Sequence, residues 1–487
     1  MEKIEGLSNH QIWKQLGDHL LMVQPFMDSI IVGGDGCYLI DADGKRILDL
    51  AAGQFCSILG HSHEGFLARL KHQVGELVHI GDQYTSQSVL RAAARLAEVA
   101  PGNLNKVIFL STGSEANECA MRMAKTITGR TGMLGFTRGY YGISLATRTL
   151  SSISDHPWKT DFQPALPSQY KLITPACRRC PIKLEYPSCD LRCLDVSFEM
   201  IGDNARNIAA VFIEPILSAG GMVIPPKDYF KALKAKVQDL GALFIADEAQ
   251  TGFGRCGRWF DIENYEIEPD ILVVSKTAGN GYPAAAVIVS EALGAVLESK
   301  TFMHLSSHQN DPLAAVAVNA VIDAVDKEKL VDHSYEMGIY FMDQLRTLKE
   351  RHSLISDVRG RGLMIGLELA AQSKSPGNTA FDMAMLCESK GLHITFSYFE
   401  PVIRIIPPLI IAKKEIDHAI TLMGESLQIL TDGSYSLASI MPANPKSGPM
   451  VERMRGGFSF MESMKKLGDT TPRQLFKKVK EKFQRRE

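Results

Sequence analysis

The sequence predicts an α/β fold: a large domain with a mixed, mostly parallel sheet sandwiched by helices, plus a smaller α+β domain. Three observations lead there. Short, wholly apolar runs, LFIA at 243–246 and ILVV at 271–274 among them, alternate with stretches of helical periodicity, as strands buried on both faces require. These two runs hand over to polar residues, Asp247 and Lys276, with glycines close by, which suits a ligand laid across the carboxyl edge of such a sheet. From residue 358 the texture changes to VRGRGLMIGLEL, a helical stretch through Cys387, then GLHITF and VIRIIPPL, which reads as a second lobe.

Taken in order, GGDGCYLIDADGKRILDL alternates apolar and polar residues around an Asp-Gly turn and reads as a hairpin. It leads into AAGQFCSILGHSH, a glycine-punctuated loop, and then into a helical pattern from Gln87 to Glu98. KVIFL at 106–110 is a buried strand that runs directly into STGSEANECAMRMAK. Such a strand, small-residue turn and helix start presents unpaired N–H groups and hydroxyls, so Thr112, Gly113 and Ser114 suit a phosphate; an ordinary helix cap is the equal alternative. MLGFTRGYYG is a further strand ending at Tyr140 and Tyr141, where a ring is displayed to stack on a flat heterocycle or simply to pack.

Cys177, Cys180, Cys189 and Cys193 have a spacing that invites a zinc site. A proline-rich surface excursion carrying reduced thiols is the favoured account. AAVFIEPILSAGG is a strand ending at Glu214, followed by Ser218 and two glycines, and a helical stretch at 226–240 returns the chain to the strand bearing Asp247. After Lys276 the sheet continues through AAAVIVS, and HLSSHQNDP opens a long helical region. The expected division is 1–60 as an N-terminal piece of the small lobe, 61–330 as the large domain, 331–430 as the small domain, and 431–487 as a linker with a basic tail (RQLFKKVKEKFQRRE).

Composition narrows the class. With 487 residues, 45% hydrophobic and 22% charged, the chain can bury a large core in more than one lobe. A net charge of -2 gives no reason to expect nucleic acid or an anionic membrane as partner. The polar start MEKIEGLSNHQIWKQLGDHLL lacks the pattern of a secretory leader, and no apolar run is long enough to span a bilayer. Nine cysteines, an odd number, point to reduced thiols and a cytoplasmic location.

A carboxylate and a lysine at neighbouring strand ends are more often an ion pair than a site. They are also what pyridoxal 5′-phosphate (PLP) needs: an amine for a Schiff base and an acid to keep the pyridine nitrogen protonated. The ordered set STGSEANE, EPILSAGG, DEAQTGFGR, SKTAGNGYP and RGRGLMIGLEL resembles the class III aminotransferases, PLP enzymes of fold type I. Within that family the chain is most similar to the 2,2-dialkylglycine decarboxylases, through Gln54, Ser218 and Arg404.

The resemblance implies roles residue by residue. Lys276 is the Schiff-base lysine and proton shuttle, Asp247 the partner of the pyridinium nitrogen, Gln250 a neighbour of the ring hydroxyl, and Tyr140 the stacking ring. Thr112, Gly113 and Ser114 cradle the phosphate, and Ser307 reaches it from a neighbouring subunit of a homodimer or a dimer of dimers. Gln54, Ser218 and Arg404 bind substrate. Gln54 favours loss of CO2, and Arg404 holds a carboxylate while a Cα–H is removed. The implied reaction is decarboxylation-coupled transamination of an amino acid such as 2-aminoisobutyrate, with amino transfer to pyruvate or a similar 2-oxo acid. The alternative is an ordinary class III aminotransferase or an amino-acid epimerase. Asp311 matches an alkali-metal (Na+ or K+) ligand position, and equally the N-cap of the helix beginning at Pro312.

Overall fold

The structure is a computed structural model that describes residues 6–21, 23, 26–152, 166–370, 379–397 and 400–435. Most of the expected linker and all of the basic tail lie outside the described residues.

Near the N-terminus, β1 (Ile31–Asp35), β2 (Tyr38–Asp41) and β3 (Arg46–Asp49) form an antiparallel meander. The Asp-Gly turn falls between β2 and β3, where Gly44 takes a φ of 81° that a side chain would resist.

The central sheet contains β4 (Leu104–Leu110), β5 (Gly132–Phe136), β6 (Gln169–Leu172), β7 (Ile208–Ile213), β8 (Leu243–Asp247), β9 (Ile271–Val274) and β10 (Ala285–Ser290). Their order across the sheet is β4-β10-β9-β8-β7-β5-β6. β10 runs antiparallel to both of its neighbours, and the other pairings are parallel. The apolar runs are explained by what covers each face. Leu134, Val211, Ile213, Phe244, Leu272 and Val274 point into one core with the helices Gln87–Val99, Tyr229–Asp239 and Pro312–Lys327. The intervening Met133, Ala210, Phe212, Ile245, Ile271 and Val273 point into a second core with the helix Gly113–Thr128. With helices on both sides, neither alternate set can be polar, which is the expected sandwich.

Two strands depart from expectation. β4 is only partly covered along its middle because it is an edge strand. β5 stops at Phe136, short of Tyr140. The chain turns back instead, and the buried Tyr141 hydroxyl accepts from Phe136 N at 3.1 Å and donates to Phe212 O at 3.1 Å.

The second lobe holds β11 (Ile355–Arg361), β12 (Met364–Leu369), β13 (Leu392–His393), β14 (Thr395–Phe396) and β15 (Val402–Ile405). The sheet β11-β12-β15-β14 is wholly antiparallel, whereas β13 joins the N-terminal meander, parallel to β3. Residues at the two ends of the described chain thus share one sheet. Among the described residues no helix is long and apolar enough to cross a membrane.

Candidate active site at the strand ends

A cleft of about 330 Å³ opens where β4, β5, β7, β8 and β9 end, and its walls include Thr112, Gly113, Ser114, Tyr140, Asp247, Gln250 and Lys276. Seven residues singled out in the sequence thus meet in one place, drawn from separate strand ends. Lys276 follows β9 after Ser275 and has a φ of 39°. A lysine in the left-handed region costs ~1 kcal/mol or more. Its Nζ lies 6.0 Å from the centroid of the Tyr140 ring.

Asp247, at the end of β8, is 6% exposed. One carboxylate oxygen accepts from Asn117 Nδ2 at 2.7 Å and the other from Ala249 N at 3.0 Å. Burial pushes its carboxyl above the usual range, while the Asn117 hydrogen bond and the nearby Lys276 ammonium pull the other way. Asn117 Nδ2 also donates to Tyr141 O at 2.9 Å, so one amide ties the Tyr140–Tyr141 segment to the acid. Glu214, just beyond β7, is also buried in the wall; it accepts from Tyr140 N at 2.7 Å, and burial raises it well above an ordinary glutamate. Sequence reasoning gave Asn117 no role and Glu214 only the end of a strand. The available signal for Asn117 was an amide inside the first turns of a helix that starts at the STGS turn.

The floor is the N-terminus of the helix Gly113–Thr128. Thr112 is its N-cap, accepting from Glu115 N at 3.3 Å, and Ser114 Oγ accepts from Ile143 N at 3.1 Å. The space above Ser114 depends on Gly142, where a Cβ would come within 2.4 Å of Ser114 Oγ at a φ of 131°. PLP fits this donor set. Free N–H groups at the helix start suit its phosphate, Tyr140 flanks the space for a ring, Asp247 and Lys276 stand at adjacent strand ends, and the buried Gln250 Oε1 has no partner among the described residues.

Gln54, Ser218, Arg404 and Ser307 are not in the cleft wall. Gln54 is exposed, on a loop where Ala52, Gly53 and Phe55 all have positive φ. Asp49 fixes that loop by accepting from Ala51 N at 2.9 Å, Gly53 N at 2.7 Å and the His61 ring at 2.9 Å. Ser218 is fully buried. Arg404, on β15, is 7% exposed and places its guanidinium 4.8 Å from the Phe55 ring centroid, next to the cleft residue Cys56. Ser307 is exposed. Asp311 takes the N-cap position of the helix Pro312–Lys327, but its side chain makes no capping bond.

All nine cysteines are free, and Cys177, Cys180, Cys189 and Cys193 line one small cavity. They do not form a metal-like cluster: the one trio of ligating side chains whose ligand atoms lie within 4.8 Å of one another among the described residues is His79, His308 and Asp311.

Residues 23–427 match the family model described as aminotransferase class III. An uncharacterized aminotransferase of Schizosaccharomyces pombe is 35% identical over 435 residues, covering 87% of this chain and 96% of that protein. A leucine/methionine racemase of Thermococcus litoralis is 31% identical over 400 residues, 81% of this chain and 89% of the racemase. An amine transaminase from an uncultivated Pseudomonas species, solved in its PLP-bound form, superposes with a TM-score of 0.75 at 29% identity, covering 82% of this chain and 94% of that one. The cofactor-compatible cleft and the match over most of the sequence lead to one conclusion: the chain belongs to the class III aminotransferase family of PLP-dependent enzymes.

Proposed function

We propose that the enzyme transfers an amino group between a carboxylate-bearing amino acid and a 2-oxo acid, without decarboxylation. The observation that carries the PLP chemistry is the meeting of Lys276 with the Asn117-supported Asp247 above the N-terminus of the helix Gly113–Thr128. When bound, PLP supplies an electron sink for bonds at the substrate Cα. Asp247 is the group that keeps a facing ring nitrogen protonated. Thr112, Gly113 and Ser114 hold the phosphate, Gln250 offers its open oxygen, and Tyr140 covers the ring. Arg404 holds the substrate carboxylate; a carboxylate kept in an ion pair is retained, and Lys276 is left to move the Cα proton.

Decarboxylation is the second reading, and it depends on Gln54 acting on the carboxylate. Neither Gln54 nor Arg404 is in the cleft wall, but Gln54 is exposed whereas Arg404 is buried beside Phe55, and the relatives above are aminotransferases and a racemase, which favours the non-decarboxylating alternative. A half-reaction tests the choice. The PLP form is mixed with alanine or with 2-aminoisobutyrate, without an oxo acid, and CO2, pyridoxamine phosphate and amino-acid chirality are followed. The expected result is conversion to pyridoxamine phosphate by alanine with no CO2 from either compound. Stoichiometric CO2 from 2-aminoisobutyrate would move the enzyme to the decarboxylases. Accumulation of D-alanine with the cofactor unchanged would make it an epimerase.

The same reading includes a homodimer in which Ser307 serves the neighbouring subunit. Its support is that Ser307 is absent from its own cleft wall, on an exposed loop where Met303 and Leu305 are 58% and 68% exposed.

A further inference from the structure

We propose that His79, His308 and Asp311 form a binding site for a divalent transition-metal ion of the Zn2+ class. His79 lies between the helices Glu64–Glu76 and Gln87–Val99, and the other two residues lie just before or at the start of the helix Pro312–Lys327. Asp311 Oδ2 stands 3.1 Å from His79 Nδ1 and 2.8 Å from His308 Nδ1, and the two imidazole centroids are 5.0 Å apart. Zn–N and Zn–O bonds of about 2.0–2.2 Å in a tetrahedron put ligand atoms roughly 3.3 Å apart. The two Asp311–histidine separations fall within about half an ångström of that spacing, and all three ligand atoms lie within 4.8 Å of one another.

Asp311 itself points to a ligand. It is 7% exposed and sits at a helix N-cap, yet its carboxylate makes no capping bond and turns to the histidines. Its second oxygen, Oδ1, is buried with no partner among the described residues. The donor set also changes the kind of ion expected at Asp311. Alkali ions take oxygen ligands, whereas two imidazoles and one carboxylate suit zinc, cobalt, nickel or copper. Each neutral imidazole binds through Nδ1 by carrying its proton on Nε2 instead, so no proton need leave. In the single chain the His79 and His308 side chains are 43% and 63% exposed. The bound ion would clamp the 77–86 connection to the 301–311 loop, which is already tied to the cofactor-site helix by Ser306 Oγ donating to Glu115 Oε1 at 2.6 Å.

The test uses the full-chain holoenzyme stripped of metal by a chelator, titrated with Co2+ and followed by visible d–d absorption, with Zn2+ uptake measured by equilibrium dialysis. The expected result is about one equivalent per chain, d–d bands without sulfur-to-metal charge transfer, and affinity lowered about 10-fold or more in both His79→Ala and His308→Ala. Both substitutions fall at exposed positions, and circular dichroism checks that each variant is folded. No uptake by the unmodified enzyme, or uptake undiminished in both variants, would overturn the site. A thiolate charge-transfer band would also overturn it, by moving the ion to the cysteines at 177–193.

Discussion

Asn117 is the residue on which the acid of the site most depends. Asp247 is buried, and burial alone favours its neutral form; the amide of Asn117 is one of two hydrogen bonds that favour the carboxylate. Asn117→Ala removes that bond and also frees the Tyr141 carbonyl. Proton-transfer catalysis that relies on a correctly ionised partner is worth about 10²–10⁴-fold, so kcat should fall by about 10-fold or more. PLP affinity should weaken, while the melting temperature changes less than for a core deletion. Wild-type kcat with weakened stability alone would reduce Asn117 to a packing residue. Residues of this kind were hard to see in the sequence. Asp247 and Lys276 announced themselves because apolar runs end at them, but an asparagine within a helix carries no such marker, and its partner is 130 residues away.

At the scale of elements, the second lobe is locked to the excursion that carries the four cysteines. Glu368 on β12, its side chain 4% exposed, is bridged by Arg359 at 2.7 Å and Arg179 at 2.5 Å, and Arg178 reaches Asp357 on β11 at 2.9 Å. Burial pushes the Glu368 carboxyl up, but the two guanidiniums outweigh it and hold it below the ordinary value of 4.5. A depressed folded value means stability that is present above the unfolded pKa and lost as the pH falls through the folded one. Breaking a buried pair costs about 3–5 kcal/mol, and Arg179 is half exposed and partly screened. Glu368→Gln should therefore cost about 2–3 kcal/mol at pH 7, with the gap to wild type narrowing as the pH is taken below 4.5. Urea unfolding at several pH values measures both; a pH-independent gap would mean that packing, not charge, is what was lost. The strands here were legible from apolar alternation in VRGRGLMIGLEL and VIRIIPPL. Their partners were not: that β13 leaves this sheet to pair with β3 depends on contacts more than 300 residues apart, for which a two-residue strand gives no local signal.

For the molecule as a whole, the question is whether one chain makes one complete site. The cleft contains the lysine, the acid and the helix start, yet Ser307 is not in its wall, and beside it Met303 and Leu305 stand out into solvent, as do Tyr84 and Ile143. Exposed apolar side chains on the loop that carries Ser307 are what a symmetric partner would cover. Light scattering should then give twice the mass of one chain, 53.6 kDa. Subunit mixing asks the harder question. On the proposed function, Lys276→Ala removes the proton shuttle and should lose about 10³-fold or more in kcat, and Ser307→Asp would set a carboxylate against the phosphate. In a mixed dimer, a serine acting across the interface leaves one site with both Lys276 and Ser307 intact, and the other with neither. Equal mixing and statistical pairing should restore about one quarter of wild-type activity. A serine acting within its own chain leaves every site damaged, so no activity would return even after exchange of subunits is verified by mass. That outcome would confine Ser307 to its own subunit and leave the exposed apolar residues without a catalytic reason to be paired.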